Sequence, residues 1–183
     1  MIKPVYVYGS SVLRKVAQNI EPNYPMLNEL ISNMFETMYN SDGVGLAAPQ
    51  VGLSIRLFVI DASPLADEHP ELENFKKVFI NAQIVERSEE LVLFNEGCLS
   101  IPNLREDVER PESVLIKYQD ENFAFHEERF DGTAARVIQH EYDHLDGILF
   151  TDRVSAIRRQ MLKSKLNTIS KGKFNASYKT KLV

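Results

Sequence analysis

The chain's 183 residues predict an α+β fold: mixed or antiparallel β-sheets packed around a central helix bearing the pattern H-E-x-x-H, with one helix towards each end of the sequence. Three observations predict it. Apolar residues recur at helical spacing near both ends. Short runs rich in β-branched and aromatic residues, bounded by turn residues, occupy the middle. The stretch "QHEYDH", Gln139 to His144, lies in a third helical segment that puts His140 and His144 on one face.

Taken in order, the elements are as follows. Residues 26–39 predict the first helix, with Leu27, Leu30, Ile31, Met34 and Met38 as its apolar stripe. "NSDGVGLAAPQVG" breaks it with turn residues and closely placed glycines. "IRLFVID" predicts a buried strand. Residues 62–77, polar and containing proline, predict a surface loop that carries His69. "KVFINAQIV" and "EELVLFNEGCLSIP" predict further strands, and "SVLIKYQD" with "FAFHEERF" a hairpin that carries His126. The H-E-x-x-H helix runs from near Thr133 to a C-cap at Gly147, with Ala134, Ala135, Val137 and Ile138 as its apolar surface. A last helix spans about Ser155 to Ser170, its inner stripe Ile157, Met161, Leu162, Leu166 and Ile169. The division expected is one domain over residues 1–170 and a basic C-terminal tail over 171–183.

Length and composition bound the function. One domain of this size buries a real core, and 44% hydrophobic with 26% charged residues is an ordinary soluble balance. No apolar run approaches the ~18 residues of a membrane span, and "MIKPVYVYGSSVLRK" lacks the apolar core of a signal peptide. A cytoplasmic protein is expected, without a membrane or DNA partner. The net charge of -5 hides an asymmetry: residues 153–183 hold nine Lys or Arg and no Asp or Glu. A basic end on an acidic body suits an anionic partner such as RNA, or is simply a solvated helix.

H-E-x-x-H supplies two metal ligands and, in Glu141, a carboxylate beside them to handle the protons of a bound water. A third ligand must come from elsewhere. The position that would carry a third histidine in one protease class is Phe150, and no carboxylate lies beyond Asp152. Asp146 is two residues from His144, off the ligand face. Cys98, the single cysteine, is a buried small hydrophobe, a reactive thiol or the missing ligand. It stands in "EGCLS", at the end of a strand-like segment beside Gly97, and a Cys-His-His set leaves a fourth position open, as catalytic sites do.

"GVGLAAPQ", "EGCLS" and "QHEYDHLDG", in that order, resemble the peptide deformylase family, across roughly residues 1–165. The resemblance implies a catalytic domain that removes the N-formyl group from the formyl-methionine of new bacterial or organellar proteins, releasing formate. Cys98, His140 and His144 would bind one divalent metal per chain, Fe(II) in the native enzyme, with Ni(II), Co(II) or Zn(II) able to substitute. Attack would come from metal-bound hydroxide, with Glu141 as general base and then acid. The Gln50 side-chain amide and the Leu99 backbone N–H would stabilise the tetrahedral oxygen. Substrate would lie as an added strand along Gly43, Val44, Gly45 and Gly97. Val44 and Val137 are candidates for the methionine pocket, or equally core residues; Arg105 lines the cleft or faces water. Glu96 and Arg110 would pair to brace the Cys98 strand, and Asp143 supports the site or lies on the helix surface. The expected partners are N-formyl-methionyl nascent peptides and, through the basic C-terminal region, the ribosome; the expected state is a monomer in the bacterial cytoplasm. Rival functions are a metal-dependent endopeptidase and a non-catalytic metal or thiol module.

Overall fold

The computed structural model describes residues 1–183. Along the chain run β1 (Val5–Tyr6), α1 (Leu27–Asn40), β2 (Gly45–Ala47), β3 (Leu57–Asp61), β4 (Lys76–Arg87), β5 (Leu91–Cys98), β6 (Ile101–Pro111), β7 (Ser113–Gln119), β8 (Phe125–Asp131), α2 (Gly132–Leu145), α3 (Ala156–Ser170) and β9 (Thr180–Lys181). The fold is α+β. A five-stranded antiparallel sheet has the order β2-β3-β4-β7-β8, β5 and β6 form a separate hairpin, and β1 pairs in parallel with β9.

β3 is apolar at four consecutive positions because both of its faces are covered. Leu57 and Val59 face one way, into a core built with Leu30, Met34 and Met38 of α1. Phe58 and Ile60 face the other, into a core built with Ala135, Ile138, Tyr142 and Leu145 of α2. β4 repeats the division, Val78 and Ile80 towards α1 and Phe79 towards α2. α2 is therefore pressed on the sheet along one face, and its other face meets the β5–β6 hairpin. A third core joins Leu104 and Val108 of β6 to Leu162, Leu166 and Ile169 of α3.

Two expectations are corrected. The segment 89–102 is not one strand: β5 ends at Cys98, Leu99 and Ser100 form a turn, and β6 begins at Ile101. β6 lacks a legible strand pattern because its inward positions alternate Leu104, Glu106, Val108 and Arg110, so half of the buried face is charged. Ile157 and Met161 do not belong to the inner stripe of α3; they are exposed, and Leu162, Leu166 and Ile169 alone are buried. Residues 171–183 return to the body, where β9 pairs with β1, the Tyr178 hydroxyl donates to Leu99 O at 2.8 Å, and Asn103 Nδ2 donates to Asn175 O at 2.8 Å.

Candidate active site

The hairpin delivers Cys98. Gly97 pairs with Arg105 but Cys98 pairs with Ile101, so residues 102–104 of β6 are left over as a bulge. A bulge bends its strand and re-aims the neighbouring side chains. α2 delivers His140 and His144, one helical turn apart on the face away from the sheet. The sulfur of Cys98 and the ring nitrogens of the two histidines lie within 4.8 Å of one another, and Cys98 Sγ is 3.4 Å from His144 Nε2. This is a compact, convergent thiol–imidazole–imidazole donor set.

A buried ionic network orients it. Arg110 grips Glu96 with two hydrogen bonds, at 2.6 and 2.9 Å, and Asp143 with a third at 2.7 Å. Arg136, one helical turn before His140, donates to Glu96 at 2.9 Å and to the carbonyls of Val108 and Val92. Glu96 Oε2 lies 2.9 Å from His140 Nδ1. That contact places a proton on Nδ1 and leaves Nε2 as the ring nitrogen for the donor set. Burial lowers the His140 pKa, but its contacts with Cys98 and Glu96 outweigh burial and raise it well above the ordinary imidazole value. Burial alone would raise the Glu96 carboxyl, but hydrogen bonds from Arg110 and His140 outweigh it and hold the group well below the usual carboxylate range. His144, which is fully buried beneath the site, has its pKa lowered by desolvation and nearby positive charge; it is the neutral form, which ligates metals.

Glu141 differs from these groups. It is 4% exposed, and its Oε2 has no hydrogen-bond partner. Burial pushes its carboxyl up to about 7. It is a poised proton acceptor that no protein donor has claimed. Gly45 lies against it; a Cβ there would come within 2.5 Å of Glu141 Oε1, so only glycine permits this approach. Gln50, in the turn after β2, accepts from Ala47 N–H through Oε1 at 2.8 Å. Its Nε2 must then point the other way, and it lies 3.2 Å from Ser100 Oγ and 3.5 Å from Cys98 Sγ.

A cleft of about 790 Å³ opens over the donor set. Every site residue expected from the sequence lines it except His144, which lies below: Gly43, Val44, Gly45 and Gln50 on one wall, Gly97, Cys98, Leu99 and Arg105 on another, and Val137, His140 and Glu141 from α2. Val137 also packs against the α2 core. Arg105 stands at the rim, held by Asn95 at 2.7 and 2.8 Å. Glu96 and Arg110 form the expected pair, Asp143 is buried between Arg110 and Arg153, and His69 and His126 lie outside the cleft.

A sequence profile of the polypeptide deformylase family matches residues 2–160. The chain is 55% identical to a peptide deformylase of Christiangramia forsetii, over 98% of this chain and 95% of that one. It is 54% identical to a peptide deformylase of Flavobacterium johnsoniae, over 99% and 96%. Among solved structures, it resembles the crystal structure of a peptide deformylase from Thermotoga maritima, with TM-score 0.77 and 42% identity over 85% of this chain and 99% of that one. It also resembles one from Legionella pneumophila, with TM-score 0.81 and 37% identity over 93% and 96%.

The chain belongs to the polypeptide deformylase family.

It is therefore an enzyme of a metal-dependent family, and the donor set suits a divalent ion: one soft sulfur, two imidazoles, and a buried carboxylate with a free oxygen next to them. The deformylase cleft also contains residues that the sequence did not disclose. Arg136 was legible in principle, since it shares the helical face of His140 four residues on. Ser100 receives Gln50. Phe94 of β5, Leu65 of the 62–75 loop, and Asn175 to Tyr178 line the cleft from segments with no motif. No helix is long and apolar enough to cross a membrane.

Proposed function

We propose that the enzyme hydrolyses N-formyl-methionyl peptides to formate and a free N-terminus, at the Cys98–His140–His144 centre. One observation carries this reading: the unpartnered, buried Glu141 carboxylate and the Gln50 amide nitrogen face the same donor set from different elements. A purely structural metal site needs neither.

Cys98 Sγ and the free ring nitrogens of His140 and His144 would hold the metal. When bound, it supplies Lewis acidity and makes water acidic near neutral pH. Glu141 takes a proton from the attacking water at its free oxygen and delivers it to the departing amine. As the formyl carbon becomes tetrahedral, its oxygen gains negative charge. Gln50 Nε2, held by the Ala47 contact, and the Leu99 N–H donate to that oxygen. Gly43, Val44, Gly45 and Gly97 present backbone to an extended peptide, which tolerates many nascent sequences. Val44 and Val137 wall the methionine side chain, and Arg105 guides the peptide at the rim.

The native ion is Fe(II), one per chain, with Ni(II), Co(II) and Zn(II) as substitutes; sulfur with two imidazoles suits all four. The enzyme works as a cytoplasmic monomer. The C-terminal region adds attraction to ribosomal RNA, because residues 153–183 carry nine basic and no acidic side chains. Arg153 and Arg158 are committed to Asp143 and Glu106, so the attraction comes from the others, and ribosome binding weakens as salt rises.

The test is formate release from formyl-Met-Ala-Ser by protein reconstituted anaerobically with Fe(II), Ni(II) or Zn(II). Metal-dependent formate with the Met-Ala bond intact is expected. Cleavage within the peptide would favour the endopeptidase, and a bound metal without turnover would favour the non-catalytic module.

A further inference from the structure

Two successive carbonyls of the turn after Cys98 are held by the two ends of the chain. Tyr8 N–H donates to Ser100 O at 2.7 Å, and the Tyr178 hydroxyl donates to Leu99 O at 2.8 Å. Both donors flank one two-stranded parallel sheet, in which Val5 pairs with Thr180 and Tyr6 with Lys181. Main-chain bonds from Val5 N to Lys179 O at 2.9 Å and from Val7 N to Lys181 O at 3.0 Å close it. A second pin, Asn103 Nδ2 to Asn175 O, ties the C-terminal segment to the β6 bulge. Between the pins, Asn175, Ala176, Ser177 and Tyr178 line the cleft. They lie beyond residues 2–160, the range matched by the family profile.

We propose that residues 175–178 are a wall of the peptide-binding site, and that Tyr178 is a positioning residue that sets the Leu99 turn. The inference rests on the role given above to the Leu99 N–H. An oxyanion donor is useful only if it is held to within tenths of an ångström of the developing charge. Leu99 sits in a two-residue turn, so its amide direction depends on few dihedrals. Fixing the carbonyls of Leu99 and Ser100 removes most of that freedom. The wall's exposed small side chains and open backbone suit the part of an extended peptide that follows the methionine.

Tyr178→Phe removes only the hydroxyl. In the Ni(II)-loaded enzyme it should lower kcat by about 3- to 10-fold, the loss of one hydrogen bond's worth of positioning, with KM for a short formyl peptide nearly unchanged. Exchange of the Leu99 amide, followed by NMR, should quicken by a similar factor. That readout is independent of turnover: if the parent protein releases no formate, the proposed activity fails, while the Leu99 exchange still reports on the Tyr178–Leu99 contact. A merely structural tyrosine would lower thermal stability and metal content, leaving kcat per bound metal and Leu99 exchange as they were, and would overturn the positioning role. The wall is tested with a chain ending at Gly172 and with Ala176→Phe, which adds bulk at an exposed wall position and breaks none of the pins described. In both, KM should change more for formyl-Met-Ala-Ser than for formyl-Met itself. Equal changes for both substrates, or none, in Ala176→Phe would overturn the wall even if the shortened chain does not fold.

Discussion

The two long faces of α2 do different work. Towards the sheet it presents Ala134, Ala135, Ile138, Tyr142 and Leu145, which pack against Phe58, Phe79 and Ile116. Towards the hairpin it presents Arg136, His140 and Asp143, which meet Glu96, Arg110 and Arg153 through hydrogen bonds of 2.5–2.9 Å. Apolar contact is non-directional and scales with area, so it supplies stability without dictating where any one atom lies. Buried ion pairs add little net stability, because desolvation offsets their attraction, but their geometry is directional. The first face accordingly holds the helix in place. The second aims its side chains.

Glu141 belongs to neither arrangement, and replacing it separates chemistry from support most sharply. Glu141→Gln should retain metal and lose about 10²- to 10⁴-fold in kcat, since the amide keeps the shape and removes the proton acceptor. Stability should not fall, because a buried carboxylate with an unpaired oxygen is replaced by a neutral group. Turnover and bound metal would be measured on the same sample. Near-normal kcat in metal-replete protein would remove Glu141 from the mechanism.

The ionic face is tested by Glu96→Gln. Metal affinity should drop about 10- to 100-fold, as His140 loses the carboxylate that fixes its tautomer. Stability should drop as well, because Arg110 and Arg136 keep their burial and lose a charged partner. The pH dependence carries a sign. The Glu96 carboxyl is held below its ordinary value of 4.5, so its contribution is complete above that value and is lost as pH falls through the depressed one. The stability gap between parent and Glu96→Gln, from denaturant melts of metal-free protein, should be constant near neutrality and shrink below about pH 4.5. A gap that widened with acid would contradict the network as drawn.

Much of this division is legible in the sequence. The helical repeat of α2 exposed its apolar face, and two histidines four residues apart exposed the other. Cys98 also emerged from the sequence, because it stands in a short motif, and the Glu96–Arg110 pair was implied by the family resemblance. What stayed hidden depends on distant partners. β6 looks polar because Glu106 and Arg110 point inward, tolerable only with Arg158, Glu96 and Asp143 supplied from elsewhere. Ile157 and Met161 match helical spacing, yet only the later residues of α3 meet β6 and the adjacent core. β9 is two residues long, and its partner lies at the opposite end of the chain, so no local pattern announces it.

The apolar face yields the smallest effect and the cleanest control. Ile138 is fully buried among Ala135, Tyr142 and the aromatic residues of the sheet. Ile138→Val deletes one methyl group there, which costs about 0.5–1.5 kcal/mol. For a chain of this length the melting temperature should fall by about 2–5 °C. Nothing on the hairpin side changes partner, so metal affinity and kcat at moderate temperature should match the parent. Calorimetric melting and metal titration of the variant, set beside those of Glu96→Gln, would show two separable signatures: stability alone on one face, stability with ligand geometry on the other. A tenfold loss of metal affinity in Ile138→Val would mean that packing against the sheet also aims His140 and His144, and the distinction between the faces would fail.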